Sequence, residues 1–598
     1  MTIRPTTAMQ ETRISRDFGY SDGDETEEHL LACLRSCSDV GVFSGELRKH
    51  ISDWPSEYHF SAVRHNLLRP FSFRPGMRIL ELGCGCGAIT RYLGETGATV
   101  IAVEGSARRA EIARERCRDL PNVQVLCANL VNYHDDQQFD HVLLIGVLEY
   151  AQQYVAAPDP VRACLEHAGS LLTESGTLFL AIENQLGLKY FNGCDEDHIG
   201  IPYYGVQGLY TNDGPRTFGK RALSQRLETA GFRRQTFFYP FPDYKLPNII
   251  IAESALTHPE FSIASLLCRS AADNRHGRFA PAFFENMAWP AIAENCVLGE
   301  LANSFLVLAG KHDTGAPLDW LACTYTAERL PRYATETRFI CTDGCITVVK
   351  RPLWATLSSS VAEMPCGELQ HIANETSDYV PGEIYLIGLQ RILARGGDLD
   401  ELVAWADEWM ALLAPQVRLE NGVAILDGGM LDAIPSNLIR RSDGTLHLID
   451  HEWLVTAPVP LAWVLVRGLL SAIAASPASP KLARLTYREV MSRVAERLMQ
   501  KHGWPSTDLF DETNALENAL RTIVFDKITP ENMITSALDK PVTGLIHREA
   551  SHENEKKALR AEIDRIKSTV SWQITKPLRL MANLPRLTRR WLKSSGSL

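Results

Sequence analysis

Long apolar runs are missing from this chain. The nearest, residues 461–475, carries Arg467 and falls short of the ~18–20 apolar residues that span a bilayer. The N-terminal stretch, MTIRPTTAMQETRISRDFGYSDGDETEE, holds no apolar core, so a secretory signal is not expected and the chain is placed in the cytoplasm. Excess positive charge is missing too: 61 Lys and Arg face 72 Asp and Glu, a net charge of −11. That sign is wrong for a protein that wraps nucleic acid. The 14 cysteines form no C-x-x-C pair, and none follows Cys366. A disulfide framework or zinc site is therefore not expected, and small buried thiols in a reducing compartment are. There is no repeat of fixed period and no low-complexity tract.

What is present is an ordinary globular mixture, 45% hydrophobic and 22% charged, long enough at 598 residues for two or three domains. Its character changes along the chain. Residues 1–50 form a polar N-terminal extension. Residues 51–255 alternate strand and helix patterns: compact apolar runs at 77–82 (MRILEL), 98–103, 123–127, 140–145 and 176–182 are separated by helical stretches. Such alternation predicts an α/β fold with an open, mostly parallel sheet, whose ligands bind beyond the carboxyl ends of the strands. Residues 256–330 read as a mainly helical connecting segment, 331–535 as a second α+β domain, and 545–598 as a charged helix with a basic amphipathic tail.

The first strand runs into Glu81-Leu82-Gly83-Cys84-Gly85-Cys86-Gly87. Glycines at alternate positions permit a tight turn and let a ligand lie on bare backbone. A dinucleotide site would have G-x-G-x-x-G, with a helix start facing pyrophosphate. Here the acidic Glu81 precedes the first glycine, which would repel a phosphate and suits a cationic amino-acid group. Beyond the last glycine, Glu104 ends the next strand, placed to accept from ribose hydroxyls. The implied ligand is an adenosine carrying an amino acid.

This constellation resembles the class I S-adenosylmethionine-dependent methyltransferases, through Glu81 to Gly87, Glu104, Ala128-Asn129 and Ile145-Gly146-Val147-Leu148-Glu149. The resemblance covers about residues 75–240 and implies a Rossmann-like sheet with S-adenosyl-L-methionine as cofactor. It implies that Glu81, Gly83, Gly85 and Gly87 cradle the methionine part, that Glu104 takes the ribose, and that Ala128 and Asn129 lie at the adenine. Asn129 departs from the Asp of many relatives.

Methyl transfer to oxygen is an in-line displacement that needs an aligned acceptor and a group to take its proton. In this fold such groups come from loops after the fourth and fifth strands. The candidates there are Glu149 with Tyr150, Glu183 with Asn184, and His198; helix orientation, turn capping and surface placement are the plainer roles for them. No metal site is expected in this part. His59, Arg64 and Asn66, in the aromatic-rich stretch before the first strand, are further pocket candidates. The segments AIENQLGLKYF (181–191), YPFPDYKLP (239–247) and LANSFLVLAG (301–310) are together similar to large bacterial methyltransferases of surface-polysaccharide loci. That implies a saccharide or lipid-linked glycan acceptor.

The second half carries a hairpin signal around Asp343-Gly344 that ends at Lys350. Asp432, Asn437 and the later Asp450 have the spacing of a kinase catalytic loop and its metal-binding Asp. This resembles the aminoglycoside-phosphotransferase and kinase-like fold, which implies ATP and Mg2+ at Lys350, Asp432, Asn437 and Asp450. Important parts depart from it: Met430 and Leu431 replace the usual loop residues, no Gly-rich loop precedes Lys350, and Glu368, Glu375 and Glu383 compete as the helix glutamate. From Arg565 to Leu598 there are eight Lys or Arg and no acidic residue, interleaved with Trp572, Trp591 and several Leu. This reads as a tether to the inner-membrane surface, or as a docking tail for glycosyltransferases, whose terminal segments it resembles.

Three functions are therefore open: an O-methyltransferase acting on a glycan, a methyltransferase–kinase that caps a polysaccharide end, and a non-catalytic assembly factor that binds the cofactor.

Overall fold

The computed structural model describes residues 23–272, 281–312, 318–354, 361–505, 509–525 and 534–542. Its frame is one sheet of twelve strands. Five parallel strands come first: β1 (Arg78–Leu82), β2 (Thr99–Glu104), β3 (Val123–Cys127), β4 (Phe139–Ile145) and β5 (Leu172–Glu183). Then come β6 (Arg234–Phe241), β7 (Ile249–Ala252), β8 (Ser304–Gly310), β9 (Trp320–Tyr325), β10 (Thr335–Thr342) and β11 (Cys345–Pro352). The separate β12 (Val361–Met364) and β13 (Gly367–His371) form a small sheet with Trp453–Val455, and β14 (Glu375–Asp378) returns to the large one.

The order across the large sheet is β3-β2-β1-β4-β5-β8-β6-β7-β9-β10-β11-β14. β1, β2, β3, β4 and β5 pair in parallel, and β8 lies antiparallel between β5 and β6. The parallel strands are apolar on both sides because helices cover both faces. Leu80, Leu82, Val142 and Leu144 pack on one face with Val161, Leu165, Leu223 and Leu227 of two helices. Ile79, Val100, Leu143 and Ile145 pack on the other with Ile89 and Leu93. Strand order reverses between β2-β1 and β4-β5, so a crevice opens at the carboxyl ends of these strands.

The segment 256–330, expected to be helical, holds short helices but also β8 and β9. A brief apolar run such as SFLVLAG fits strand or helix equally in sequence, and pairing with β5 and β6 decides it. From β9 the sheet continues without interruption across residue 331 into the β10–β11 hairpin. Asp343 and Gly344, at φ 51° and 81°, make the two-residue turn there, as left-handed residues at both central positions suit the twist of a hairpin.

Beyond the sheet, the helices Tyr385–Ala394, Leu399–Leu413, Leu461–Ala474, Tyr487–His502 and Asp511–Phe525 enclose a second core around Trp409 and Trp463. The apolar stretch at 461–475 is thus a core helix, and among the described residues no helix is long and apolar enough to cross a membrane. In the N-terminal extension, the helix Asp24–Ser36 packs Leu30, Cys33 and Leu34 on Ile112. The tail 545–598, with its basic and Trp residues, lies outside the described residues.

Candidate active site

The glycine turn lies over the end of β2: Gly83 N–H donates to Val103 O at 2.8 Å. Gly83, Gly85 and Gly87 all have left-handed backbone, at φ 82°, 56° and 84°. Their neighbours explain two of them. A Cβ on Gly83 would stand 2.5 Å from Val147 Cγ2, and one on Gly87 would stand 2.8 Å from the Ala113 backbone. At Gly85 a Cβ would meet only the end of the Arg109 side chain, at 3.1 Å. Glu104 braces the turn, accepting from Gly85 N–H at 2.8 Å and Ser106 N–H at 2.9 Å. Glu81, 2% exposed, accepts from Thr90 Oγ1 at 2.6 Å, and burial pushes its carboxyl up to about 8.

Glu81, Gly83, Gly85 and Glu104 line a pocket with Ile145, Gly146 and Tyr150 on the β4 side and Tyr58, His59 and Arg64 as a roof, whereas Gly87, expected to cradle the methionine part, packs against Ala113 and is not on the pocket wall. The roof is a short helix, Trp54–Phe60, opened by an Asp53–Ser56 capping box, and the turn Ala62–Leu67 that follows it and carries Arg64. Arg64 anchors it, donating to Tyr244 O at 2.8 Å and Lys245 O at 3.0 Å. Asn66 donates to Pro247 O at 2.9 Å, so it is an anchor of the roof.

Past β4, the turn Leu148–Tyr150 places Tyr150 on the pocket wall, with its hydroxyl 2.9 Å from His198 Nδ1. His198 Nε2 stands 3.2 Å from Glu183 Oε2, and Lys245 Nζ is hydrogen-bonded to Glu183 Oε1. Lys245 also reaches Asp197 at 2.7 Å. Glu196 accepts from His198 N–H and Ile199 N–H at 2.8 and 2.7 Å and so pins the loop. Glu149 is 1% exposed, and neither of its carboxylate oxygens has a hydrogen-bond partner among the described residues. Burial and then Glu183 push Glu149 up to about 8. Burial alone would lower His198, but Glu183 outweighs it and raises the imidazole to about 9. Burial would likewise raise Glu183, yet Lys245 and His198 hold it far below the usual carboxylate range. At neutral pH His198 is thus a charged donor in this arrangement, which does not suit the expected direct removal of an acceptor proton by the imidazole.

Residues 80–178 match the family model of a methyltransferase domain. The probable cobalt-precorrin-6B C(15)-methyltransferase (decarboxylating) of Thermoplasma acidophilum is 31% identical over 162 residues, 25% of this chain and 76% of the relative. The chain belongs to the S-adenosylmethionine-dependent methyltransferases. The ubiquinone biosynthesis O-methyltransferase of Methylocella silvestris is 29% identical over 237 residues, 38% of this chain and 81% of that one. Other curated relatives are matched over only 20–48% of their own length. A solved S-adenosylmethionine-dependent methyltransferase from Archaeoglobus fulgidus shares 17% identity over 41% of this chain and 92% of that one, at a TM-score of 0.26.

The methyltransferase pocket suits its cofactor chemically. S-Adenosylmethionine supplies an electrophilic methyl group on a sulfonium, and the pocket offers bare turn backbone beside two buried carboxyls, Glu81 and Glu104. The expected adenine residues sit differently. Asn129 Oδ1 accepts from Val131 N–H at 3.2 Å and caps the next turn, Ala128 donates its N–H to Glu104 O, and Leu130 is the residue on the pocket wall. Sequence reasoning missed Lys245, which braces Glu183, Asp197, which is the second partner of Lys245, and Arg109, which lies 3.9 Å from the buried Glu27 of the N-terminal helix. Nothing in their local spacing marks them, since Lys245 meets Glu183 and Asp197, and Arg109 meets Glu27, only across long stretches of chain.

A second cleft of the methyltransferase lies between β10, β11 and β14 and the segment 439–450, lined by Phe339, Val348, Lys350, Ile439, Ile449 and Asp450. Lys350 pairs with Asp450, whose backbone is left-handed at φ 60°. Glu452 receives Arg329 at 2.5 Å and stands 2.9 Å from His371 Nε2. Asn437 Nδ2 donates to Asp432 O at 3.1 Å. The Asp432 carboxylate, 2% exposed, accepts from Trp453 N–H at 2.7 Å and Arg467 at 3.3 Å. It is turned into the core, away from the role of orienting an acceptor in the cleft. Glu368, Glu375 and Glu383 all lie on strands, and none supplies the helix glutamate.

Proposed function

We propose that this methyltransferase methylates a hydroxyl group of a saccharide or lipid-linked glycan. The observation that carries the reading is the chain Tyr150–His198–Glu183 at the β4–β5 end of the cofactor pocket. A hydroxyl acceptor needs a polar group to orient it and manage its proton, and Tyr150 is the member of this chain on the pocket wall. His198 and Glu183 position Tyr150 from behind. Glu81 holds the cofactor's ammonium group and Glu104 its ribose hydroxyls. The three segments that carry the resemblance to surface-polysaccharide methyltransferases meet here: Lys245 pairs with Glu183, Tyr244 N–H donates to Ser304 Oγ at 2.8 Å, and Asn184 donates to Ala302 O at 2.8 Å. Transfer of labelled methyl from S-adenosylmethionine to lipid-linked saccharide extracts tests the reading; label found only on amines or proteins would overturn it.

A second reading is favoured by the Lys350–Asp450 pair in a cleft lined both by Phe339, Val348, Ile439 and Ile449 and by Glu375, Ser377 and Asp378. The cleft takes the phosphates of a nucleotide with a divalent ion, as in a kinase-like module. The inward-turned Asp432 supports binding without phosphoryl transfer. Retention of a fluorescent ATP analogue by the full chain, and its loss in Lys350→Ala, is the test; equal retention by both would contradict it.

The basic tail 565–598 is proposed to hold the protein at the inner-membrane surface, supported by its eight uncompensated charges beside Trp572 and Trp591.

A further inference from the structure

Three side chains of the acceptor end converge from separate elements: Glu149 from the turn after β4, Glu183 from the last position of β5, and His198 from the loop at 194–200. One ligand atom from each lies within 4.8 Å of the others. Two of the three are oriented from outside. Tyr150 holds His198 at Nδ1, which leaves Nε2 facing Glu183, and Lys245 holds Glu183 at Oε1, which leaves Oε2 facing the imidazole. Such outer contacts are how proteins fix the ring orientation of a metal-binding histidine and the direction of a carboxylate. The third residue, Glu149, is 1% exposed, with both oxygens unpartnered among the described residues. A buried polar group without a hydrogen-bond partner is costly, and coordinating a metal removes that cost.

We infer that Glu149, Glu183 and His198 hold a divalent metal ion directly behind Tyr150. The inference builds on the reading of this group as the acceptor end of the site. Two carboxylate oxygens and one imidazole nitrogen form a mixed donor set that suits Mn2+ or Zn2+ better than the all-oxygen surroundings of Ca2+ or Mg2+. Three protein ligands leave further coordination positions open. The ion displaces the protons on His198 Nε2 and on Glu149, which leave to solvent; it thereby replaces the hydrogen bond between His198 and Glu183, ties the ends of β4 and β5 to the 194–200 loop, and fixes the Tyr150 ring through His198. The ligands are scattered through the chain at positions 149, 183 and 198, so no compact ligand motif announces them.

The test is equilibrium dialysis of untagged full-length protein, stripped with chelator, against Mn2+ and separately against Zn2+, with metal content read by mass spectrometry. About one equivalent of at least one of the two ions is expected. Glu149→Gln and His198→Gln should each weaken binding by tenfold or more, while S-adenosylmethionine affinity of the same samples shows that the pocket is intact. Less than a tenth of an equivalent of both ions, or undiminished uptake by Glu149→Gln, would overturn the site. Failure here is separable from failure of the saccharide reading. Metal uptake without saccharide methylation removes the acceptor assignment and keeps the ion; saccharide methylation by metal-free protein that takes up no metal does the reverse.

Discussion

The Tyr150 hydroxyl lies 2.9 Å from Nδ1 of His198, far along the chain in the loop after β5. This contact joins the wall of the cofactor pocket to a buried group of two glutamates and an imidazole, and it makes Tyr150 the most informative residue to change. Tyr150→Phe keeps the ring and removes the oxygen. It should lower kcat by about 10²–10⁴, the usual contribution of a positioned proton-handling group, with cofactor affinity unchanged by calorimetry. A kcat within twofold of the parent would remove Tyr150 from the reaction.

The three glycines of the turn should respond unequally. Ala at Gly87 meets both a left-handed backbone and Ala113 at 2.8 Å, which together should cost about 2–4 kcal/mol. Ala at Gly85 carries mainly the conformational cost of about 1–2 kcal/mol. Scanning calorimetry should therefore rank Gly87→Ala below Gly85→Ala in thermal midpoint, and the opposite order would contradict the packing described.

Glu81 gives a pH signature. Its carboxyl is raised by burial from 4.5 to about 8, so the cofactor-free protein retains a proton that the unfolded chain loses near 4.5. The raised group therefore favours folding below that window and loses this contribution as pH rises towards 8. A bound ammonium group stabilises the ionised form. Cofactor binding at neutral pH should thus release up to about one proton, measured by calorimetry in buffers of different ionisation enthalpy. Glu81→Gln should bind the cofactor more weakly with no such release. Equal proton release by both proteins would show that the proton comes from elsewhere.

The Lys350–Asp450 cleft is remote in chemistry from the methyl-transfer pocket although one sheet runs through both regions. Asp450→Ala should abolish retention of the nucleotide analogue and leave methyl transfer within twofold. Loss of methyl transfer in a folded Asp450→Ala protein would mean that the two regions form one composite site.

Removing residues 565–598 should abolish sedimentation with anionic vesicles at low salt and spare cofactor binding. The intact protein should be largely released at about 1 M salt, where the Debye length falls to about 3 Å. Vesicle binding that survives truncation would place the membrane contact elsewhere.

The legible part of this molecule is its local part. Glu81, the glycine turn and Glu104 share one short stretch of chain, and strand, turn and helix follow one another there directly. Glu149, Glu183 and His198 could each be named as candidates, but their convergence depends on β4 and β5 lying side by side and on Lys245 returning from beyond β6. The reason for Gly87 also lay out of reach, because Ala113 belongs to the helix after β2. β8 was harder still: its apolar run declares a strand only by fitting between β5 and β6, and the extension of the sheet through β9 to β14 follows from pairings that no single segment encodes. The kinase-like spacing was legible, whereas the inward turn of Asp432 follows from Arg467 and Trp453, residues outside that motif.

The most direct test of the account is a paired assay. Wild-type protein and Tyr150→Phe, matched for S-adenosylmethionine affinity, are incubated with labelled cofactor and lipid-linked saccharide extract, and the label is traced to its attachment atom. The account predicts label as an O-methyl group on a sugar with wild type and a loss of at least a hundredfold with Tyr150→Phe. Label on nitrogen, or equal transfer by the two proteins, would contradict it.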